Sequence, residues 1–228
     1  MSTAGSGRTH YTQQLQDVRD EILMMGSMVS QAIEGAVEAL KTRDPQKARE
    51  VVAADQVIDA KQYELEERTL TIIATQQPMA GDLRSLAASL FIVGELERMG
   101  DYAEGIAKIA IMVSENPPLK PLIDIPRMAE ISVSMLQRSL TAYMELDLEE
   151  CRKIWHTDDE VDGLYVQVYR ELLTYMLQDP ESIERATYYL WCAHNLERIA
   201  DRVTNVCERT AYVITGDPQT LPGRVDPD

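Results

Sequence analysis

Leu96-Glu97-Arg98-Met99-Gly100-Asp101 and Leu196-Glu197-Arg198-Ile199-Ala200-Asp201 are one phrase written twice, 100 residues apart. In each copy the large apolar residues are three apart and the two acids four apart, spacings that return to one side of an α-helix at every turn. Working outward, the duplication spreads. Asp44 and Asp147 differ by 103, and so do Asp55/Asp59 and Asp158/Asp162. A three-residue length difference in the region between the second and third helices reconciles the two offsets. Repetition of this kind marks duplicated structural units packed side by side.

The rest of the chain fits three helices per copy. Leu15, Val18, Ile22, Met25, Val29, Ile33, Ala36 and Leu40 step by three and four and form one long apolar face. Asp44-Pro45 then breaks the helix, with Asp44 as N-cap and Pro45 at the first position of a second helix. That helix runs to about Gln77, ahead of Pro78. A third runs from Gly81-Asp82 to about Glu115 and ends at Asn116-Pro117-Pro118. The Pro-containing stretch up to Pro126 is the best boundary. Beyond it, 125–146 reads as a fourth helix, and Asp147 caps a fifth that ends near Asp179-Pro180. A sixth spans about Ser182 to Thr215 and stops at Gly216-Asp217-Pro218, leaving 219–228 as a loose tail. The expected fold is all-α: two tandem antiparallel three-helix bundles, 10–117 and 118–216.

Composition narrows the function. With 22 Lys+Arg against 38 Asp+Glu the formal net charge is −16, so nucleic acid is repelled and cations or basic protein surfaces are favoured. The core must be aliphatic and Met-rich, because the chain holds 11 Met but only 1 Phe and 2 Trp. Met24, Met25 and Met28 are expected in it. Cys151, Cys192 and Cys207 form no CxxC pair, and Cys192 and Cys207 on one helix lie ~22 Å apart, too far to bridge. Reduced thiols and a polar start without a secretory pattern point to the cytoplasm. The longest apolar run, 86–94, is too short for a bilayer, so membrane contact would come only through a partner.

The chemistry rests on acid pairs at i, i+4. Seven exist where roughly six are expected by chance on this helical neighbour spacing, so their number carries no signal. Their placement does. Asp55/Asp59 repeat as Asp158/Asp162, and Glu97/Asp101 repeat as Glu197/Asp201. A helical wheel points Glu97, Asp101, Glu197 and Asp201 outward, and sets Asp55 and Asp59 on the flank of the apolar stripe. A three-helix bundle would bring the pairs of its second and third helices together at a surface. Four carboxylates so gathered suit hard or borderline cations; otherwise they form a solvated acidic face. His10, His156 and His194 supply no Glu-x-x-His pattern, though His194 is placed to join a cluster. No HExxH, P-loop or GxSxG occurs, and no basic nest that would bind phosphate directly. Gly81-Asp82-Leu83-Arg84 reads as a helix start, with Asp82 at the positive dipole end. It lacks a counterpart in the second half, which leaves room for a role special to the first.

Residues 77–84 (Gln-Pro-Met-Ala-Gly-Asp-Leu-Arg), 95–101, 196–202, 22–29 and 173–176 with Asp179 together resemble the PhoU family of bacterial phosphate-uptake regulators, over about residues 10–215. The resemblance implies a non-enzymatic, cytoplasmic negative regulator that links the phosphate ABC transporter, through its ATPase subunit, to a phosphate-sensing histidine kinase. It also implies multinuclear iron or zinc held by Asp55, Asp59, Glu97, Asp101, Asp158, Asp162, Glu197 and Asp201. Tyr102 and Arg202 stand where some relatives carry a His, and Ala200 stands where the first repeat has Gly100. Exposed apolar residues beside the acids point to a homodimer. A metal-carboxylate enzyme and a metal or phosphate store are the competing classes.

Overall fold

Asp44 begins its helix by accepting, on one side-chain oxygen, hydrogen bonds from the Gln46 and Lys47 amides, at 2.9 and 3.1 Å. Asp147 does the same for Glu150 at 3.0 Å. Each cap follows a left-handed residue, Arg43 at φ 54° and Leu146 at φ 56°. In each turn the Asp amide bonds back five residues, to Ala39 at 3.0 Å and Ala142 at 2.9 Å. The same reversal is thus built twice from residues 103 apart.

The computed structural model describes residues 3–221, with side chains from residue 10 onward. It contains α1 (Thr3–Thr42), α2 (Pro45–Gln76), α3 (Ala80–Val113), α4 (Asp124–Glu145), α5 (Leu148–Gln178) and α6 (Ile183–Thr215). Among the described residues there is no strand. A short 3₁₀ turn, Pro180–Ser182, precedes α6 and was not foreseen. It arises because Pro180 follows Asp179, whose carboxylate caps the Glu181 amide at 3.0 Å.

Ion pairs fix the sense of packing. Glu21 on α1 meets Lys61 on α2, and Asp17 meets Arg68, so earlier residues of one helix face later residues of the other: α1 and α2 are antiparallel. α3 packs on α1, α2 and α6; α6 packs on α3, α4 and α5; α1 also touches α4. Helices α2 and α5 therefore lie on opposite flanks of an inner group of four. Between α3 and α6 the two halves meet about a pseudo-two-fold axis. Glu95 faces Arg202 at 3.6 Å and accepts from Asn205 at 3.1 Å. Its equivalent, Asn195, donates to the Tyr102 carbonyl at 3.4 Å and lies against Gly105.

Ile22, Met25, Leu96, Met99, Leu136, Leu196 and Ile199 are fully buried in one contiguous apolar cluster that both halves share. Inside it the Tyr143 hydroxyl meets Ser89 Oγ at 2.9 Å. On α6, Leu196, Ile199, Ala200, Val203, Val206 and Cys207 form one buried face, and Ile214 further along it is only half-buried.

Two expectations need correction. Met24 is 60% exposed, and Met28 is half-buried. Met25 faces the core and Met28 packs against its edge, as expected; Met24 alone lies on the face that α1 turns away from its neighbours. The tail is also not loose from its start: Leu221 is packed on the core, and residues 222–228 lie outside the described ones. All three cysteines are buried and free. Among the described residues no helix is long and apolar enough to cross a membrane.

Candidate metal centre

Helix α2 turns Asp55 and Asp59 toward α3 because they flank its apolar stripe, and the flank of a stripe becomes a seam once a neighbouring helix docks. Ile58, between them, is buried in the core. On α3, Gly100 makes room. A Cβ there would stand 3.2 Å from Asp55 Oδ1 and 3.3 Å from Ile58, so the bare backbone lets the carboxylate settle against the helix. The result is a triad: Asp55, Asp59 and Asp101 each offer an oxygen, all within 4.8 Å of one another. Glu97 sits one turn before Asp101 and feels both Asp101 and Asp59. Glu104, one turn after, is tied to Lys108 at 2.5 Å.

This gathering is electrostatically uphill. Burial, and then the charges of Asp59, Glu104 and Asp101, push the Asp55 carboxyl up to about 6. Glu97 and Asp101 are also raised, first by burial and next by neighbouring carboxylates, with Arg98 opposing in both. Asp55 is only 9% exposed, and its Oδ1 has no hydrogen-bond partner among the described residues. A buried carboxylate oxygen without a donor is costly. A bound cation removes both the orphaned lone pairs and the repulsion. The donor set is oxygen only, which fits hard divalent cations and iron.

The structure thus brings Asp55, Asp59 and Asp101 together with Glu97 beside them. The outward orientation read from the wheel needs correction: Asp101 is exposed, but Glu97 is half-buried at the seam between α2 and α3. In the second half Asp158 is fully buried, and Asp162, Glu197 and Asp201 are half-buried. The wheel set Glu197 and Asp201 too far outward because it ranks positions around one isolated helix, whereas α5 packs along α6 and covers the flank. Arg198 pairs with Asp201 at 3.0 Å. His194 Nδ1 approaches Glu197 at 3.4 Å, and burial and Arg198 hold its imidazole below the usual range, in the neutral form that ligates metal. The helical wheel sets Glu104 on the same side of α3 as Glu97 and Asp101 without making it a candidate ligand, and Lys108 carries no such signal. Glu104 sits i, i+3 from Asp101, a signal that could have found it, while its equivalent is Thr204. Asp82 serves structurally, accepting from the Tyr11 hydroxyl at 3.1 Å near the start of α3.

The PhoU domain family matches residues 22–110 and again 125–210. The phosphate-specific transport system accessory protein PhoU homolog of Aquifex aeolicus is 40% identical over 204 residues, covering 90% of this chain and 92% of that protein. The protein of the same description from Caulobacter vibrioides is 38% identical over 211 residues, 92% of each. The crystal structure of PhoU from Pseudomonas aeruginosa superposes with a TM-score of 0.87 at 32% identity, covering 91% of this chain and all of that one. Two matched segments, full-length relatives and a shared six-helix fold lead to one conclusion: the chain belongs to the PhoU family.

Proposed function

We propose that this protein is a cytoplasmic, non-catalytic negative regulator of phosphate uptake and of the starvation response. In this reading it joins the ATPase subunit of the phosphate ABC transporter to a phosphate-sensing histidine kinase, acts as a homodimer, and holds iron or zinc on its carboxylates. The observation that carries the reading is similarity over nine-tenths of the chain to proteins described as phosphate transport accessory proteins. A relative from Streptococcus pneumoniae, 29% identical, is described as a phosphate transport system regulatory protein.

The metal would be held by Asp55, Asp59, Glu97 and Asp101 in one half and by Asp158, Asp162, Glu197 and Asp201 in the other. There it would supply positive charge that locks α2 to α3 and α5 to α6. The orphaned Asp55 oxygen and the mutual repulsion of its neighbours support that part. Tyr102 and Arg202 offer no imidazole, which leaves carboxylates as the principal donors.

The test has two arms. Pull-down at high and low phosphate against the ATPase and the kinase should retain at least one; retention of neither in any condition sinks the adaptor role. Elemental analysis of the wild type and of Asp101→Ala/Asp201→Ala should show iron or zinc in the first and a strong loss in the second. Equal, negligible metal in both returns the acids to a solvated face.

A further inference from the structure

The chain's sole Phe and one of its two Trp occupy equivalent positions in the repeat, Phe91 on α3 and Trp191 on α6. Both are held out in solvent, 53% and 52% exposed. One exposed aromatic on a surface needs no explanation. Two exposed aromatics at equivalent positions on the paired helices α3 and α6 are a different matter. A second pair behaves alike: Leu83 and Ile183 are 42% and 47% exposed. Each aromatic is braced. Arg209 lies over the Phe91 ring at 4.0 Å, and Tyr188 stands edge-on to Trp191 at 5.8 Å. Bracing of this kind lowers the entropy a side chain loses when it enters a partner's pocket.

Steps of four and three put Phe91, Arg98 and Tyr102 on one stripe of α3, and Trp191, Arg198 and Arg202 on the matching stripe of α6. These stripes border the seam where Glu95 meets Asn205 and Asn195 meets Tyr102, on either side of the pseudo-axis. Because α3 and α6 run antiparallel, the two aromatics stand at opposite ends, about 27 Å apart along the seam at the helical rise. Arginines lie between them, close to the axis.

We propose that this α3–α6 face docks on a protein partner that is itself a two-fold dimer, with the partner's axis on the chain's pseudo-axis and one apolar pocket receiving Phe91 and its equivalent receiving Trp191. A symmetric dimer offers every pocket twice, and one chain can fill both only if it carries two equivalent anchors facing the same way. Aromatic anchors in pockets dominate interface energies. A second copy of this chain fits less well: across this axis Arg98, Arg198 and Arg202 would oppose their own copies, and juxtaposed like charges are penalised. The inference rests on the adaptor reading and specifies which face meets the transporter and in what ratio.

The test uses the full chain and the transporter's ATPase subunit in its paired state. Native mass spectrometry with the ATPase in excess should find one ATPase pair for each chain of this protein, hence two pairs on a homodimer joined through another face. Titration should show Phe91→Ala and Trp191→Ala each weakening binding roughly tenfold and the double variant roughly a hundredfold, with melting temperatures near wild type because both side chains are exposed. Wild-type binding that survives both substitutions within about twofold overturns the docking face and leaves the adaptor reading intact. So does saturation at two chains per pair with the ATPase in excess, or a homodimer that the variants dissociate. Absence of wild-type binding to the ATPase defeats the docking face along with the transporter arm of the adaptor reading.

Discussion

Asp55→Asn should make the metal-free protein more stable, and the structure says by how much. Asp55 ordinarily titrates at 3.8 and is lifted to about 6 in the fold, chiefly by burial and then by Asp59, Glu104 and Asp101. A lift of roughly two units corresponds to about 3 kcal/mol, at 1.36 kcal/mol per unit, by which the fold disfavours the ionised form. The sign follows from proton counting. Between 3.8 and about 6 the native state holds a proton that the unfolded chain has released, so stability falls as pH rises through that window and the full penalty stands above it. Asparagine keeps the shape, carries no charge and can donate its amide to a neighbouring carboxylate. In EDTA at pH 7.5 the variant should gain up to about 3 kcal/mol, which for a chain this long is on the order of 6–12 °C in melting temperature. At pH 4 most of the difference should vanish. Adding ferrous or zinc ion should reverse the order, because a cation bound only by the native state stabilises it by mass action and the variant has lost a ligand. Scanning calorimetry over this pH range, with and without EDTA, measures all of it. A variant that melts below wild type in EDTA at pH 7.5, or an offset that is the same at pH 4, would refute the reasoning.

Gly100→Ala presses on Asp55 Oδ1 at 3.2 Å and on Ile58 at 3.3 Å, so it should weaken metal uptake in the first half while changing stability by less than ~1 kcal/mol, the helix gain offsetting the crowding; metal titration beside a thermal melt separates the two effects. Tyr143→Phe removes a buried hydroxyl that meets Ser89 at 2.9 Å, yet Ser89 keeps its bond to the Ser85 carbonyl at 3.0 Å. The cost in urea unfolding should be about 1 kcal/mol, and a loss above about 3 would contradict it. Arg68 holds Asp17 and Glu21 of α1 from α2 on a partly exposed surface. Arg68→Ala should therefore cost about 1 kcal/mol at low salt and clearly less in 1 M NaCl; a salt-independent loss would assign its role to packing instead.

Much of this was legible in the sequence because it depends on local rules. Asp44 and Asp147 had to cap helices whose first residues follow them, and the 103-residue offset of those caps carried the acid pairs along. What the sequence could not disclose depends on which helices touch. Asp158 is fully buried because α5 packs along α6, and a wheel drawn on one helix has no neighbour to place there. Met24 escaped for the converse reason: its helix is apolar enough around that turn to suggest burial, but nothing docks on that side. The partnership of Gly100 with Asp55 spans two helices 45 residues apart in the chain, and no spacing rule announces it.

The duplication also shows where the halves have ceased to be equivalent. Glu104 and Lys108 of the first half become Thr204 and Glu208, and Gly94 becomes His194. The first centre thus carries an extra acid and a countercharge on a flexible stem, tied to Glu104 at 2.5 Å. The second has a guanidinium bonded directly to Asp201 at 3.0 Å and an imidazole beside Glu197. For a cation these surroundings differ in kind. An all-oxygen set would favour a hard ion, whereas a nearby neutral imidazole would suit iron or zinc. In the first half the Asp55 carboxyl is lifted to about 6, and its Oδ1 is buried without a hydrogen-bond partner among the described residues. Destabilising acids so placed conflict with the fold's own stability, and such conflicts collect at functional sites. At the seam between α2 and α3 the lifted carboxyl of Asp55 makes that conflict between site and stability directly measurable.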